Sequence, residues 1–206
     1  CSVFKIVVGI AGLSEGVITP DTTHRCARGC WMWAGHGPID LKRALAVSCN
    51  PYFEWVGEQL GYEKVERYAR LLGLGELTGI NLTGETAGRV PSFVRPEAVG
   101  HLSSHATGIE TSGVQLAVLI SATVNGGVIL KPQMSGPEDF VPRERWRLPE
   151  TTRLEGLAAG FAAAYARATV TIRSGSRPVI SAAASGVQRS SSALTMISFS
   201  AAYSWS

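Results

Sequence analysis

The sequence contains no apolar run long enough to cross a bilayer. Its longest, from Phe4 to Leu13, is broken by Lys5 and falls well short of the roughly 20 residues that a spanning helix needs. Charge is sparse as well: Asp, Glu, Lys and Arg make up 17% of the 206 residues, and the formal net charge is +3. The cations are scattered, with no basic stripe to track a phosphate backbone, so no nucleic-acid partner is expected. The chain starts at Cys1 in front of a strongly patterned segment. It is therefore expected to begin inside a domain, with any signal peptide or anchor lying upstream. A hydrophobic content of 45% excludes a disordered chain and suffices for one substantial core.

A further absence divides the chain. All sixteen acidic residues and every lysine lie at or before Glu155, whereas ordinary globular usage would place about five acidic residues beyond it. Residues 156–206 are accordingly read as an anomalous Ala/Ser-rich tail of the kind a shifted reading frame produces, distinct from a domain over 1–155. Cysteines are few, at positions 1, 26, 30 and 49. Only Cys26 and Cys30 are close, and a local disulfide or two thiols is expected there. Zinc would need two further ligands, with only His24 and His36 nearby. No metal and no cofactor is expected.

What is present is organised as helices with a few strands. Residues 2–15 read as a buried helix, N-capped by Ser2 and apolar on nearly every side, which belongs at the centre of a domain. Residues 16–38 form a Gly-, Pro- and Thr-rich loop with a short hairpin. Asp40 caps a helix through Val47, and Pro51 suits a first helical turn. Ser48, Cys49 and Asn50 thus fall in a junction able to point side chains into a cleft. Helices follow over 51–60 and 62–73, stopped by Gly61 and Gly73. A strand over Gly79–Leu82, a helix over 111–124 and a strand over Val128–Leu130 complete the reading.

Two constellations carry chemistry. Ser2 and Lys5 stand three residues apart on one helical face, within hydrogen-bonding reach. A serine hydroxyl attacks poorly until a neighbour takes its proton, and a lysine can do so once burial lowers its pKa. Ser48 and Asn50 add a hydroxyl that can relay a proton and an amide that can hold a carbonyl or the lysine. The Trp31 and Trp33 pair reads as packing, and His101 and His105, flanking a Ser-rich loop, as solvated or structurally bonded. None of these four is assigned to the site.

Ser2-Val3-Phe4-Lys5, with Arg43-Ala44-Leu45-Ala46-Val47-Ser48-Cys49-Asn50-Pro51-Tyr52-Phe53, resembles the first two motifs of the penicillin-binding proteins. Gly35-His36-Gly37 with Ile39-Asp40-Leu41, the run Tyr68 to Gly75, Thr78-Gly79-Ile80-Asn81-Leu82, Val114-Gln115-Leu116-Ala117 and Asn125-Gly126-Gly127 resemble the elongation-type, class B members. The resemblance covers residues 1–155. It implies an α/β (α+β) penicillin-recognising fold, here partial, with an antiparallel sheet packed between helices. It also implies a D,D-transpeptidase in which Ser2 is acylated by the D-alanyl-D-alanine end of a peptidoglycan stem peptide, or by a β-lactam antibiotic. Lys5 would accept the Ser2 proton, Ser48 would relay a proton, and Asn50 would orient substrate. The setting implied is the extracytoplasmic, periplasmic face of the inner membrane, with a missing N-terminal anchor and other cell-wall synthesis proteins as partners of the intact parent.

The chain departs from that family at three places. Cys1 precedes the nucleophile where Gly or Ser is usual, and Ala106-Thr107-Gly108 replaces Gly-Gln-Gly. The Lys-Thr-Gly motif that lines the site is missing, and Arg173-Ser174-Gly175-Ser176, in the anomalous tail, matches it by chemical type alone. The alternatives are a serine β-lactamase or β-lactam sensor of the same fold, or a catalytically incompetent fragment acting as a binding module.

Overall fold

A computed structural model of the chain describes residues 2–27, 30, 32–134, 141–158 and 160. All lie in one compact unit spanning Cys1–Thr171. The first helix, α1 (Phe4–Ser14), is its axis: every residue from Phe4 through Leu13 is buried. Small residues let its neighbours close in, since a Cβ on Gly12 would come within 2.9 Å of Val56 and 3.0 Å of Ile18.

The N-terminus of α1 differs from expectation. Val3, already helical at φ −64° and ψ −29°, is the cap residue, and no side chain caps the helix. Ser2 lies one residue earlier in a turn. Its carbonyl accepts from the Lys5 N–H at 3.3 Å, while its hydroxyl is engaged across the cleft by Ser48. A hydroxyl drawn into that contact is not spent on the helix.

The expected hairpin forms from β1 (His24–Cys26) and β2 (Gly37–Ile39), antiparallel with Cys26 opposite Gly37. Asp40 caps α2 (Leu41–Ala46) by accepting from the Arg43 N–H at 2.7 Å. The helices α3 (Asn50–Leu60) and α4 (Tyr62–Leu71) follow, with Pro51 in the first turn of α3 and Gly61 between them. The strand expected over Gly79–Leu82 does not form. Glu85 gathers the Thr78 N–H, the Thr78 hydroxyl and the Gly79 N–H onto its carboxylate. Gly79 at φ +74° then turns the chain out of extended conformation.

Two elements exceed the sequence reading. Helix α5 (Val99–His105), after a 3₁₀ turn at Pro96–Ala98, occupies the segment read as a Ser-rich loop. It lies hard against α3: a Cβ on Gly57 would meet the Ser103 side chain at 2.0 Å. Helix α6 (Gly113–Val124) starts in a capping box between Ser112 and Gln115. Strand β3 (Val128–Leu130) pairs antiparallel with β4 (Glu144–Arg147), an unexpected strand, through a register shift between Ile129 and Leu130. The architecture is the mixed α/β one expected, its sheets among the described residues being two short ribbons. Leu157, fully buried, packs near Gly9; residues 161–206, with Arg173-Ser174-Gly175-Ser176, lie outside the described residues. Among the described residues no helix is long and apolar enough to cross a membrane.

Candidate active site

Lys5 organises the site. It is 2% exposed on the first turn of α1, and a buried ammonium must find an acceptor for each of its three hydrogens. It donates to the Ser48 carbonyl at 2.9 Å, the Ser48 Oγ at 2.7 Å and the Asn50 Oδ1 at 2.6 Å. Both oxygens of Ser48 face the lysine because Ser48 adopts the left-handed conformation, φ +52°. A non-glycine residue is rarely held there, and such strain clusters at functional sites. The α2–α3 junction fixes it, with the Cys49 N–H bonded to the Ala44 carbonyl at 2.9 Å and Pro51 opening α3.

Ser48 Oγ in turn donates to Ser2 Oγ at 2.9 Å. Among the described residues no hydrogen bond joins the Lys5 amine to the Ser2 hydroxyl, so the hydroxyl of Ser48 stands between the two side chains. Burial is the main influence on Lys5 and pulls its pKa below 10.5, against opposing contributions from Cys49, Cys30 and Glu54. The four residues expected at the site, Ser2, Lys5, Ser48 and Asn50, therefore converge in one hydrogen-bonded chain.

The site has a member that sequence reasoning left out. Asn50 Nδ2 lies 3.3 Å from His105 Nε2, so His105 belongs to this network. Its ring stacks on His101 with centroids 4.3 Å apart. The only signal available was the four-residue spacing of the two histidines, which becomes informative once α5 is known to be a helix. Trp33, read as packing, is 86% exposed; Trp31 lies outside the described residues.

A sequence model of the penicillin-binding protein transpeptidase domain matches residues 2–150. The chain belongs to that family. Stage V sporulation protein D of Bacillus subtilis is 33% identical over 148 residues, 65% of this chain and 22% of that protein. The peptidoglycan D,D-transpeptidase MrdA of Haemophilus influenzae is 28% identical over 155 residues, 65% of this chain and 24% of that one. The chain thus spans about a quarter or less of the curated relatives it matches. Among solved structures, a chain of a peptidoglycan synthase complex that coordinates polymerization and crosslinking superposes with a TM-score of 0.73 at 27% identity, over 86% of this chain and 34% of that one. Penicillin-binding protein PBP2 of Helicobacter pylori, in complex with MreC, gives 0.68 at 23% identity over 79% and 34%, a likeness of fold.

Within this penicillin-binding protein chain Cys26 and Cys30 follow the thiol alternative of the two expected for them, and a cysteine distant along the chain joins them. No Cys26–Cys30 disulfide forms, and Cys26 and Cys49 are free thiols. His24 stacks on Trp55 instead, with ring centroids 4.6 Å apart. Cys26, Cys30, His36 and Cys49 each offer a ligand atom, all within 4.8 Å of one another. Cys26 Sγ and Cys30 Sγ lie 3.4 Å and 3.5 Å from His36 Nδ1. Three thiols and one imidazole are a ligand set suited to tetrahedral Zn²⁺. The fourth ligand escaped the sequence reading because Cys49 is distant along the chain and belongs to the Ser48-Cys49-Asn50 motif.

Proposed function

We propose that this chain carries the acylation centre of a peptidoglycan D,D-transpeptidase, with Ser2 as nucleophile, Lys5 as base, Ser48 as proton relay and Asn50 as orienting amide. The observation that carries the reading is the continuous contact from Lys5 Nζ through Ser48 Oγ to Ser2 Oγ, at 2.7 Å and 2.9 Å. With Lys5 neutral, the Ser2 proton moves to Ser48 as the Ser48 proton moves to Lys5. Ser2 Oγ then bonds to the carbonyl carbon of the penultimate D-alanine. The C–N bond to the terminal D-alanine breaks, its nitrogen taking the proton back from Lys5 through Ser48. The resulting ester is attacked by an amine of a neighbouring stem peptide, whose proton follows the same path to restore the Ser2 hydroxyl as the new amide forms. A β-lactam enters the same sequence by opening its ring C–N bond, and its acyl group stays on Ser2.

Asn50, gripped by Lys5 through Oδ1, has one hydrogen of its N–H₂ toward His105 and the other to hold a substrate carbonyl. The names of the relatives support transfer over β-lactam hydrolysis. They also support a place in the cell envelope beside other cell-wall synthesis proteins. Residues 1–155, of which 2–150 match the family model, would form the transpeptidase portion, and 156–206 contribute no assigned role.

The test is labelling of the purified 206-residue chain with a fluorescent penicillin, followed by mass spectrometry of the adduct. One adduct on Ser2, absent from Ser2→Ala, is expected. A folded chain that takes no label, or takes it elsewhere, would overturn the reading.

A further inference from the structure

The hydrogen bonds around Asn50 have a direction that identifies the protonation state of its neighbour. As the ammonium, Lys5 Nζ is a donor only, and at 2.6 Å it fixes the near atom of the Asn50 amide as Oδ1. Nδ2, also a donor only, therefore faces His105 Nε2 at 3.3 Å, which must accept. A neutral imidazole accepting at Nε2 carries its proton on Nδ1. That atom lies 2.6 Å from Ser104 Oγ, and Ser104, 1% exposed, has two acceptors for its own hydrogen, Glu54 Oε1 at 2.9 Å and the His101 carbonyl at 3.2 Å. The donors Asn50, His105 and Ser104 thus point away from Lys5, toward the Glu54 carboxylate and the His101 carbonyl.

We propose that His105 is a positioning residue for the acylation step: as the neutral Nδ1–H form it holds the Asn50 amide with its oxygen on Lys5, and protonation of His105 releases that amide. The inference rests on the acylation reading above. A proton on Nε2 would set donor against donor. Turning the amide over would relieve that contact only by presenting N–H₂ to the Lys5 ammonium. Either way the lysine loses an acceptor and Asn50 its orientation. Among the described residues, the charged and titratable groups around His105 include Glu54 on α3, 3.8 Å from Nδ1, His101 one turn earlier on α5, and Lys5 on α1 beyond Asn50. Glu58 of α3 lies against Gly100, and the pair Arg95 and Glu97, 3.6 Å apart, sits on the 3₁₀ turn before α5.

Two measurements test this. The first follows the penicillin acylation rate of native, His105→Gln, His105→Phe and His101→Gln chains between about pH 5 and 8. Glutamine places an acceptor where Nε2 stood but does not titrate. His105→Gln should keep the native rate at pH 8 and lack an acid-side loss of about five- to tenfold, the scale of one misplaced hydrogen bond, that native and His101→Gln chains show. His105→Phe should be slowed about five- to tenfold at every pH. Native and His105→Gln profiles that superimpose would overturn the proposal, as would an undiminished His105→Phe. The second measurement is nitrogen NMR of the Ser2→Ala chain, which needs no acylation. His105 in the Nδ1–H form, with the Asn50 side-chain amide shifting at the His105 titration midpoint, is expected; an Nε2–H form at pH 7.5 refutes it. If no chain takes label, the acylation reading falls and the NMR result still decides on His105.

Discussion

At the scale of single residues the site turns on how a buried ammonium is kept. Lys5 satisfies its three hydrogens on Ser48 and Asn50, yet desolvation still lowers its pKa. That brings the neutral amine, the form able to accept a proton, nearer to working pH. Lys5→Met should slow penicillin acylation by about 10²–10⁴-fold, the range for a lost general base, as read by stopped-flow labelling. The shift also has a consequence for stability. Below the folded-state pKa both native and unfolded chains hold the proton, and no slope arises. Between that value and 10.5 the unfolded chain binds it more readily, so this group makes stability rise with pH. Denaturant titrations into the alkaline range should show the native chain gaining on Lys5→Met, and parallel profiles would contradict the buried charge. Ser2, Lys5, Ser48 and Asn50 were legible beforehand because their chemistry is bound to short spacings. His105 was not, because its role comes from α5 crossing α3, a contact between residues 55 positions apart.

At the scale of elements, backbone freedom decides what forms and how closely. Helix α5 has the sequence Val-Gly-His-Leu-Ser-Ser-His, poor in helix formers, so packing rather than propensity makes it helical. Strand β4, Glu-Arg-Trp-Arg, has no apolar alternation to announce it. Trp146 anchors it by donating its indole N–H to the Leu71 carbonyl at 2.9 Å. Conversely, Gly79–Leu82 looked like a strand until the Glu85 carboxylate captured its start. The same reasoning sets two opposed predictions at the α3–α5 contact. A Cβ at Gly57 would overlap Ser103 Oγ at 2.0 Å and Cβ at 2.4 Å, so Gly57→Ala should destabilise by about 1–3 kcal/mol through overpacking. Ala106, the left-handed C-cap of α5 at φ +58°, stands where the family has glycine. Ala106→Gly should stabilise by about 0.5–1 kcal/mol, since glycine bears no Cβ penalty there. Urea midpoints of the two variants should move in opposite directions.

At the scale of the molecule, the helical core and the β1–β2 hairpin meet where Cys26, Cys30 and His36 close on Cys49. Cys49 lies between Ser48 and Asn50, so whatever fixes its sulfur also fixes that junction. Burial pushes the Cys49 thiol up, offset in part by the Tyr52 backbone N–H and reinforced by Cys26 and Cys30. A metal ion taken there would displace that proton, as thiolate ligation requires. Zn²⁺ at about a hundred times its dissociation constant should stabilise the folded chain by about 2.7 kcal/mol, which for a domain of this size raises Tm by roughly 5–10 °C. Differential scanning fluorimetry with and without chelator measures the shift, and cobalt(II) in place of zinc should give thiolate-to-metal absorption. Cys49→Ser should remove most of the shift, whereas His24→Gln should keep it, because His24 faces Trp55 and not the cluster. A melting temperature indifferent to zinc in the native chain would show that these four side chains pack together without binding a cation, and the Ser48–Asn50 junction would then be held by α2, α3 and the Lys5 hydrogen bonds alone.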